Sequence, residues 1–175
     1  ILEAQGFATA AQEALGQVQD QADALASAML GIHLSPTDAT LSRAGAEAHA
    51  AFEAIVAALN QKNADRAVFA GVATDALPLA PVQAMLADIE TDVAGETTAA
   101  GVVAAVEAWF KTPAGGFETL GYAGSANPLA PLSLGAGEAA PFPVTAADPA
   151  LREVLIGVAI GALLAGPTLG TDTDQ

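Results

Sequence analysis

The segment Leu59–Gly71, LNQKNADRAVFAG, separates two patterns of hydrophobic spacing in the chain. Before it, apolar residues recur at alternating steps of four and three, which is the spacing along one face of an α-helix. From Asn60 onward that spacing ends, and RAVFAG is a short apolar run that favours a strand. Gly71, Asp75 and Pro78 then favour turn geometry. We therefore expect a long helix to end here and a strand and a turn to follow.

The first predicted helix keeps a heptad pattern for more than three repeats. Its apolar positions, half of which are alanine, are Ala4, Ala8, Ala11, Leu15, Val18, Ala22, Leu25 and Met29. A buried leucine or valine contributes about 1.5–3 kcal/mol, and alanine contributes well below that. We therefore expect this helix to need a partner along its length, from this chain or from another subunit.

A second long helix is predicted to begin at the N-cap Ser35, with Pro36 in its first turn and the acidic Asp38 at its third position. Its apolar positions are Leu41, Gly45, Ala48, Phe52, Ile55 and Leu59. Only the short segment GIHL separates the two helical patterns. This spacing predicts an antiparallel pair of helices.

Two shorter helices are predicted after the turn. Pro81 opens the first, which ends near Gly95, and Thr97 or Thr98 caps the second, which stops before Pro113. Their apolar faces consist of Val82, Met85, Ile89 and Val93 in the first helix, and of Val102, Val106 and Phe110 in the second.

Residues 115–144 are rich in glycine and proline and contain three β-like runs, TLGYAG, LAPLSL and APFPV, with a GAGE turn between the last two. Pro131, Pro141 and Pro143 cannot donate ladder hydrogen bonds, so we expect edge strands of a small sheet.

A last helix is predicted from Asp148 and Pro149, with two apolar faces that both need cover. One face carries Leu151, Leu155, Val158 and Ala162, and the other carries Ile156, Ile160 and Leu164. Gly157 and Gly161 would let another backbone approach closely. We therefore predict an α+β chain, mainly α: an elongated bundle of long antiparallel helices (residues 1–72 and 146–170), a smaller helix and β-hairpin insertion (73–145) and a loose tail (171–175).

Composition limits the classes of function. The formal net charge is −15 and the five cations are spread along the chain, so we exclude nucleic acid as a partner, because binding it requires clusters of cations that neutralise phosphates. The longest apolar run, Val154–Gly166, is about seven residues short of the roughly 20 that cross a bilayer, and we expect no membrane insertion. The chain starts with ILEAQG and not with Met, so we expect an internal fragment of a longer protein.

No arrangement of polar residues predicts catalysis. His49 lacks the second histidine of a helical zinc site, because position 45 is glycine. The acids of ADIETD alternate along a helix and so point in different directions. The GAGE glycines lie in a predicted hairpin, and Ser125 lacks the glycines of a nucleophile elbow. We expect no enzyme, no catalytic residues, no metal site and no cofactor.

The polar residues Lys62, Asp65 and Arg66 of the opening segment are weighed in the same way. We expect a structural corner rather than an active site, with the asparagines of LNQKN ending the helix and Phe69 anchoring the strand that follows. Arg66 is predicted to pair with a nearby acid.

The order of these parts resembles the flagellin superfamily, and most closely the hook–filament junction protein family, hook-associated protein 3. In that family the second long helix ends in Arg, two apolar residues, Phe, a small residue, Gly, a short gap, Thr-Asp and Pro, and a Tyr-x-Gly strand comes later. The matching positions are Arg66, Phe69, Gly71, Thr74, Asp75, Pro78, Tyr122 and Gly124. The chain departs from the family in an inserted helical pair at residues 81–111. The family's terminal heptad segments are expected to lie outside the printed chain.

The resemblance implies a structural protein of the bacterial flagellum that is needed for motility. Members of the family are exported through the flagellar type III channel and self-assemble into a ring between hook and filament. The implied partners are other copies of the chain, a second hook-associated junction protein and flagellin, with an export chaperone as a further candidate. The implied location is secreted, at the hook–filament junction.

Two alternatives stay open on the sequence alone. The first is a filament flagellin, although those proteins usually have Phe-Asn-Gly where this chain has Phe-Ala-Gly. The second, from another class, is an extracellular helical binding or sensory module that only shares long helices.

Overall fold

The computed structural model describes residues 2–34 and 37–163. It is 63% helix and 11% strand, which confirms a mainly α-helical chain with a small β component. In chain order the elements are α1 (Leu2–Leu34), α2 (Asp38–Leu59), β1 (Lys62–Asn63), β2 (Arg66–Ala67), α3 (Val82–Val93), α4 (Ala99–Lys111), a π-helical turn (Phe117–Gly121), β3 (Leu129–Gly135), β4 (Glu138–Phe142) and α5 (Pro149–Leu163). The predicted tail, residues 171–175, lies outside the described residues.

Helices α1 and α2 pack side by side and run in opposite directions. A Cβ added to Gly6 of α1 would lie 3.0 Å from the side chain of Asn63, just after α2. Farther along α1, Leu25 lines the same shallow groove as Glu47, which lies near the middle of α2. The elongated bundle as a whole stays a prediction.

The junction between α1 and α2 differs from the prediction. Helix α1 continues through GIHL to Leu34, so this segment is not a link. The N-cap of α2 is Thr37 and not Ser35, because Thr37 and Thr40 form a capping box. The Thr37 hydroxyl accepts a bond from the Thr40 N–H at 3.1 Å, and the Thr40 hydroxyl accepts one from the Thr37 N–H at 2.8 Å. Two helix-end donors are thereby satisfied at once. Ser35 and Pro36 lie outside the described residues.

Only part of the predicted heptad face of α1 is buried. Ala4, Ala11 and Val18 are buried, but Ala8 is exposed and Phe7 takes a place in the core. Every position of the pattern after Val18 is only half-buried. The buried residues of the first half of α1 include Ala4, Phe7, Ala11, Ala14 and Val18, which again follow steps of three and four.

Helix α5 packs closely on α2. A Cβ added to Gly161 would lie 2.7 Å from the Cβ of Ala48, so glycine is required for this approach. The same prediction is wrong for Gly157, where an added Cβ would meet nothing within 4 Å. The buried residues of α5 come from both predicted faces and are Leu151, Leu155, Ile156, Val158, Ala159, Gly161, Ala162 and Leu163. Leu164 lies outside the described residues.

Helices α3 and α4 occur where the sequence predicts them. Pro81 precedes α3 and Thr98 is the N-cap of α4, with its hydroxyl accepting a bond from the Gly101 N–H at 3.0 Å. Thr98, and not Thr97, is therefore the cap. The predicted apolar residues of both helices are buried.

The predicted strand over RAVFAG is mostly wrong. Only Arg66–Ala67 forms a strand, which pairs with Lys62–Asn63 in a tight antiparallel hairpin. The backbone beyond it bonds to distant loops instead, since the Phe69 carbonyl accepts from the Ala146 N–H at 2.9 Å and the Ala70 carbonyl from the Ser125 N–H at 2.9 Å. These loop contacts take the groups that a strand would use.

The predicted strand over TLGYAG is also wrong. Phe117–Gly121 is a π-helical turn, closed by a 2.7 Å bond from the Tyr122 N–H to the Phe117 carbonyl. Tyr122 alone forms an isolated antiparallel bridge, with Leu79. The ring of Phe117 is fully buried, so burial of this residue outweighs the local β propensity.

The hairpin predicted from LAPLSL, GAGE and APFPV is confirmed. Strands β3 and β4 pair antiparallel, and Gly135, Ala136 and Gly137 turn the chain with positive φ angles of 96°, 50° and 83°. In a sheet of two strands each strand is an edge, so the prolines interrupt no central ladder. One hydrophobic core includes residues of all five helices and of β3, and the division into a bundle and an insertion stays a prediction.

Candidate functional site

The structure brings the predicted motif residues together at one place, which we call the corner and define as residues 60–80 with residues 121–127. Helix α2 ends at its C-cap Asn60. The Asn60 side chain accepts a bond from the Leu79 N–H at 2.8 Å and donates one to the Leu79 carbonyl at 3.0 Å. The Asn60 side-chain amide therefore joins the two ends of the segment 60–80.

The hairpin β1–β2 forms the outer part of the corner. Its two central residues, Ala64 and Asp65, have positive φ angles of 47° and 63°. This is the backbone geometry of a two-residue turn whose twist matches that of the strands. Lys62 and Asp65 are both exposed.

Arg66 connects the corner to the start of α1. Its guanidinium donates to the carboxylate of Glu3 and lies 5.3 Å from the centre of the Phe7 ring. Both charged side chains are substantially exposed, 40% for Arg66 and 63% for Glu3. An exposed pair of this kind contributes at most about 1 kcal/mol.

Phe69 lies in the core beneath the hairpin and is fully buried. Its ring lies 6.4 Å from that of Phe142 on β4, which in turn lies 6.2 Å from Phe7 on α1. Three separate parts of the chain therefore meet around Phe142. Each such aromatic pair adds about 0.5–1.5 kcal/mol beyond its buried area.

Gly71 is the position in the corner where no other residue fits. Its φ is +61°, and an added Cβ would lie 2.3 Å from the carbonyl oxygen of Asn127. The following N–H, from Val72, donates to that same carbonyl at 3.1 Å. The close approach of the two corner segments therefore depends on the missing side chain.

Pro78, Tyr122 and Gly124 close the corner on its other side. The Pro78 carbonyl accepts a bond from the Ala123 N–H at 2.9 Å, beside the Leu79–Tyr122 bridge. The Tyr122 hydroxyl donates to the Ser125 carbonyl at 2.9 Å. A Cβ on Gly124 would lie 2.4 Å from the Tyr122 ring, so glycine leaves room for that ring.

Burial raises the pKa of the Tyr122 phenol above its ordinary value, while a hydrogen bond with Thr145 acts in the opposite direction. Thr74 contributes its backbone, since its carbonyl accepts a bond from the Ala67 N–H at 2.7 Å. Asp75 is exposed. The eight motif residues therefore mostly fix the backbone of the corner.

Within residues 2–34 and 37–163, no three His, Asp or Glu side chains lie close enough to hold a metal ion. In the same part of the chain, every buried side-chain nitrogen or oxygen already has a hydrogen-bond partner. His49 lies beside Glu53 on the surface of α2, with 3.9 Å between the imidazole Nδ1 and the carboxylate. Among the described helices, none has both the length and the apolar character needed to cross a bilayer.

Two polar residues of structural importance were not predicted from the sequence. Asn60 was expected only to end a helix, yet it also holds Leu79, nineteen residues later. Arg152 of α5 was assigned no role, yet it contacts three separate segments. Both roles depend on contacts with segments distant in the sequence, which local patterns do not indicate.

Comparisons with protein-family models, curated proteins and solved structures found no match for this chain. The resemblance to the flagellin superfamily therefore rests on the matching residues alone.

Proposed function

We propose that the chain is part of a structural adaptor of the bacterial flagellum, which joins the hook to the filament at the hook–filament junction. The observation that carries the proposal is the corner. The motif segments Arg66–Pro78 and Tyr122–Gly124 are more than 40 residues apart in sequence, yet they bond to each other directly at the end of the α1–α2 pair.

The use of polar groups in the corner supports a structural role. Asn60, Tyr122 and Arg66 each bind a backbone group or another side chain of the chain itself. A catalytic site would need polar groups that converge on a cleft and stay available to a substrate. The corner residues instead hold one backbone path.

In this proposal α1, α2 and α5 form an elongated helical bundle that contacts neighbouring subunits along its faces. Other copies of the chain surround the junction as a ring, a second hook-associated protein binds on the hook side, and flagellin binds on the filament side. The protein reaches this place by type III export, with or without a chaperone. The half-buried apolar stripe of α1 beyond Val18 is consistent with contacts of this kind.

Deletion of the gene in the source bacterium tests the proposal. We expect cells with hooks but no filaments, and flagellin in the culture medium, because filament subunits are exported without a junction on which to assemble. Complementation with the full-length gene should restore filaments. Full-length filaments in the deletion strain would contradict the proposal. Hooks without filaments and without flagellin in the medium would also contradict it, because that result identifies a filament flagellin.

A further inference from the structure

Arg152 lies near the start of α5 and is half-buried. Its Nε donates to the Ala147 carbonyl at 2.8 Å, and its Nη1 donates to the Phe110 carbonyl at 3.2 Å. The guanidinium also lies 5.2 Å from the centre of the Phe117 ring. One side chain therefore contacts the loop before α5, the end of α4 and the π-helical turn.

The bond to Phe110 has a specific physical role. Phe110 is in the last turn of α4, where carbonyl groups have no partner within the helix. A cation at this end also interacts favourably with the helix dipole. Arg152 therefore acts as a C-terminal cap for α4, although it belongs to a different helix.

A second contact joins the same two helices. The ammonium of Lys111, the last residue of α4, lies 2.8 Å from the carboxylate of Glu153 on α5 and 3.6 Å from that of Glu107. The hydrogen bond with Glu153 is the main reason that the pKa of Lys111 is raised. Two of the five cations of the chain thus connect α4 to α5.

Helices α3 and α4 are also tied to each other. The indole N–H of Trp109 donates to the Asp88 carboxylate at 2.7 Å. The Trp109 ring lies 4.7 Å from Phe110 and 6.2 Å from Phe117, both in edge-on geometry. We call α3, α4 and the π-helical turn the α3–α4 unit, and Trp109 is at its centre.

We propose that Arg152 is a coupling residue, which makes the α3–α4 unit and the rest of the chain unfold as one. Its hydrogen bond to Phe110 and its aromatic contact with Phe117 cross the boundary between α5 and the α3–α4 unit, while its bond to Ala147 holds the guanidinium in place. Without it, the Phe110 carbonyl loses its partner and a locally less stable segment can open first. This inference goes beyond the proposed function and does not rest on it.

Urea unfolding of the 175-residue chain with two probes tests the proposal. Trp109 is the only tryptophan, so its fluorescence reports on the α3–α4 unit. Far-UV circular dichroism mainly reports on α1, α2 and α5, which have 33, 22 and 15 residues against 12 and 13 in α3 and α4. We expect coincident transitions in the wild-type chain. In Arg152→Gln the fluorescence midpoint should move below the dichroism midpoint by on the order of 0.5 M urea.

Two further variants complete the test. Arg152→Lys keeps the charge but cannot donate from a planar fork to two carbonyls. It should therefore show a smaller separation between the fluorescence and dichroism midpoints than Arg152→Gln. If Arg152→Gln does not fold, Arg152→Lys tests the proposal. Arg43→Gln is the matched control, because Arg43 is an exposed arginine of α2 whose ion pair is with Glu47 on the same helix. Separate transitions in the wild-type chain, or coincident transitions in both Arg152 variants, would overturn the proposal.

Discussion

The side-chain amide of Asn60 binds both backbone groups of Leu79, with an acceptor distance of 2.8 Å and a donor distance of 3.0 Å. In a β-sheet, a neighbouring strand would form these two bonds with Leu79. On the side that faces away from Asn60, Leu79 forms a β-bridge with Tyr122. Asn60 therefore replaces a strand where the chain has only a helix end. This explains how the corner is fixed with so little regular β structure.

Replacing Asn60 with Asp tests this contact. Asn60→Asp keeps the acceptor but loses the donor and places a carboxylate beside the Leu79 carbonyl. We expect a loss of about 1–3 kcal/mol in the free energy of unfolding, measured by urea denaturation. Asn127→Asp, the same change at an exposed position of the corner, should have little effect. Equal midpoints for the two variants would argue against a role for the amide.

Gly71→Ala tests the close approach of the two corner segments. The matched control is Gly137→Ala in the β3–β4 turn, since Gly137 also has a positive φ, of +83°, but faces open space. The control should lose only about 1–2 kcal/mol of stability, which is the cost of backbone strain at a positive φ. Gly71→Ala should lose about 1–3 kcal/mol more, because its Cβ would meet the Asn127 carbonyl. A Gly71→Ala chain as stable as the control would contradict the observed packing.

The two glycines of α5 should respond in opposite directions to alanine. Gly157→Ala is expected to stabilise the chain by about 0.5–1 kcal/mol, because the site is open and alanine favours helix. Gly161→Ala is expected to destabilise it by about 1–3 kcal/mol, because the new Cβ would meet Ala48. Thermal unfolding by circular dichroism measures both. Destabilisation by Gly157→Ala would show that this position is covered.

Arg66→Ala should lower stability only slightly, by about 0.5–1 kcal/mol, because the pair with Glu3 is exposed. The loss should shrink at high salt, which screens exposed charges. A double-mutant cycle of Arg66→Ala with Glu3→Gln isolates the pair from the contact with Phe7. No coupling between the two changes would mean that Glu3 is not the partner of Arg66 in solution.

Tyr122 is the only tyrosine, so its titration can be followed by ultraviolet absorbance. Because burial raises its pKa, the phenol should ionise at higher pH in the folded chain than in the urea-unfolded chain. Its contribution to stability is therefore present below the unfolded pKa, near about 10, and is lost as the pH rises through the folded pKa. Tyr122→Phe should remove this alkaline loss. Equal titration curves for folded and unfolded chains would contradict the burial.

The sequence predicted elements that have strong local signals. Pro81 and the pair Thr97–Thr98 marked the starts of α3 and α4, and GAGE marked the turn of the β3–β4 hairpin, since such residues act within a few positions of themselves. In contrast, the strand over RAVFAG was wrong, because the Phe69 and Ala70 carbonyls bond to segments more than 50 residues away. Local propensity cannot anticipate such partners.

The candidate site, too, was predicted from the sequence only in part. The motif residues from Arg66 to Gly124 were identified by the resemblance to the flagellin superfamily, and they lie in one corner. Their contacts with Glu3, Phe142 and Asn127 depend on the arrangement of α1, β4 and the loop after Tyr122. The role of Asn60 was missed for the same reason, because a helix-ending asparagine looks alike whether or not a distant backbone binds to it.

Immunogold electron microscopy of isolated flagella with an antibody raised against this chain tests the proposed function most directly. The account predicts one band of label on each flagellum, at the boundary between hook and filament. Label along the whole filament, or label that is absent from flagella and present elsewhere on the cell, would contradict it.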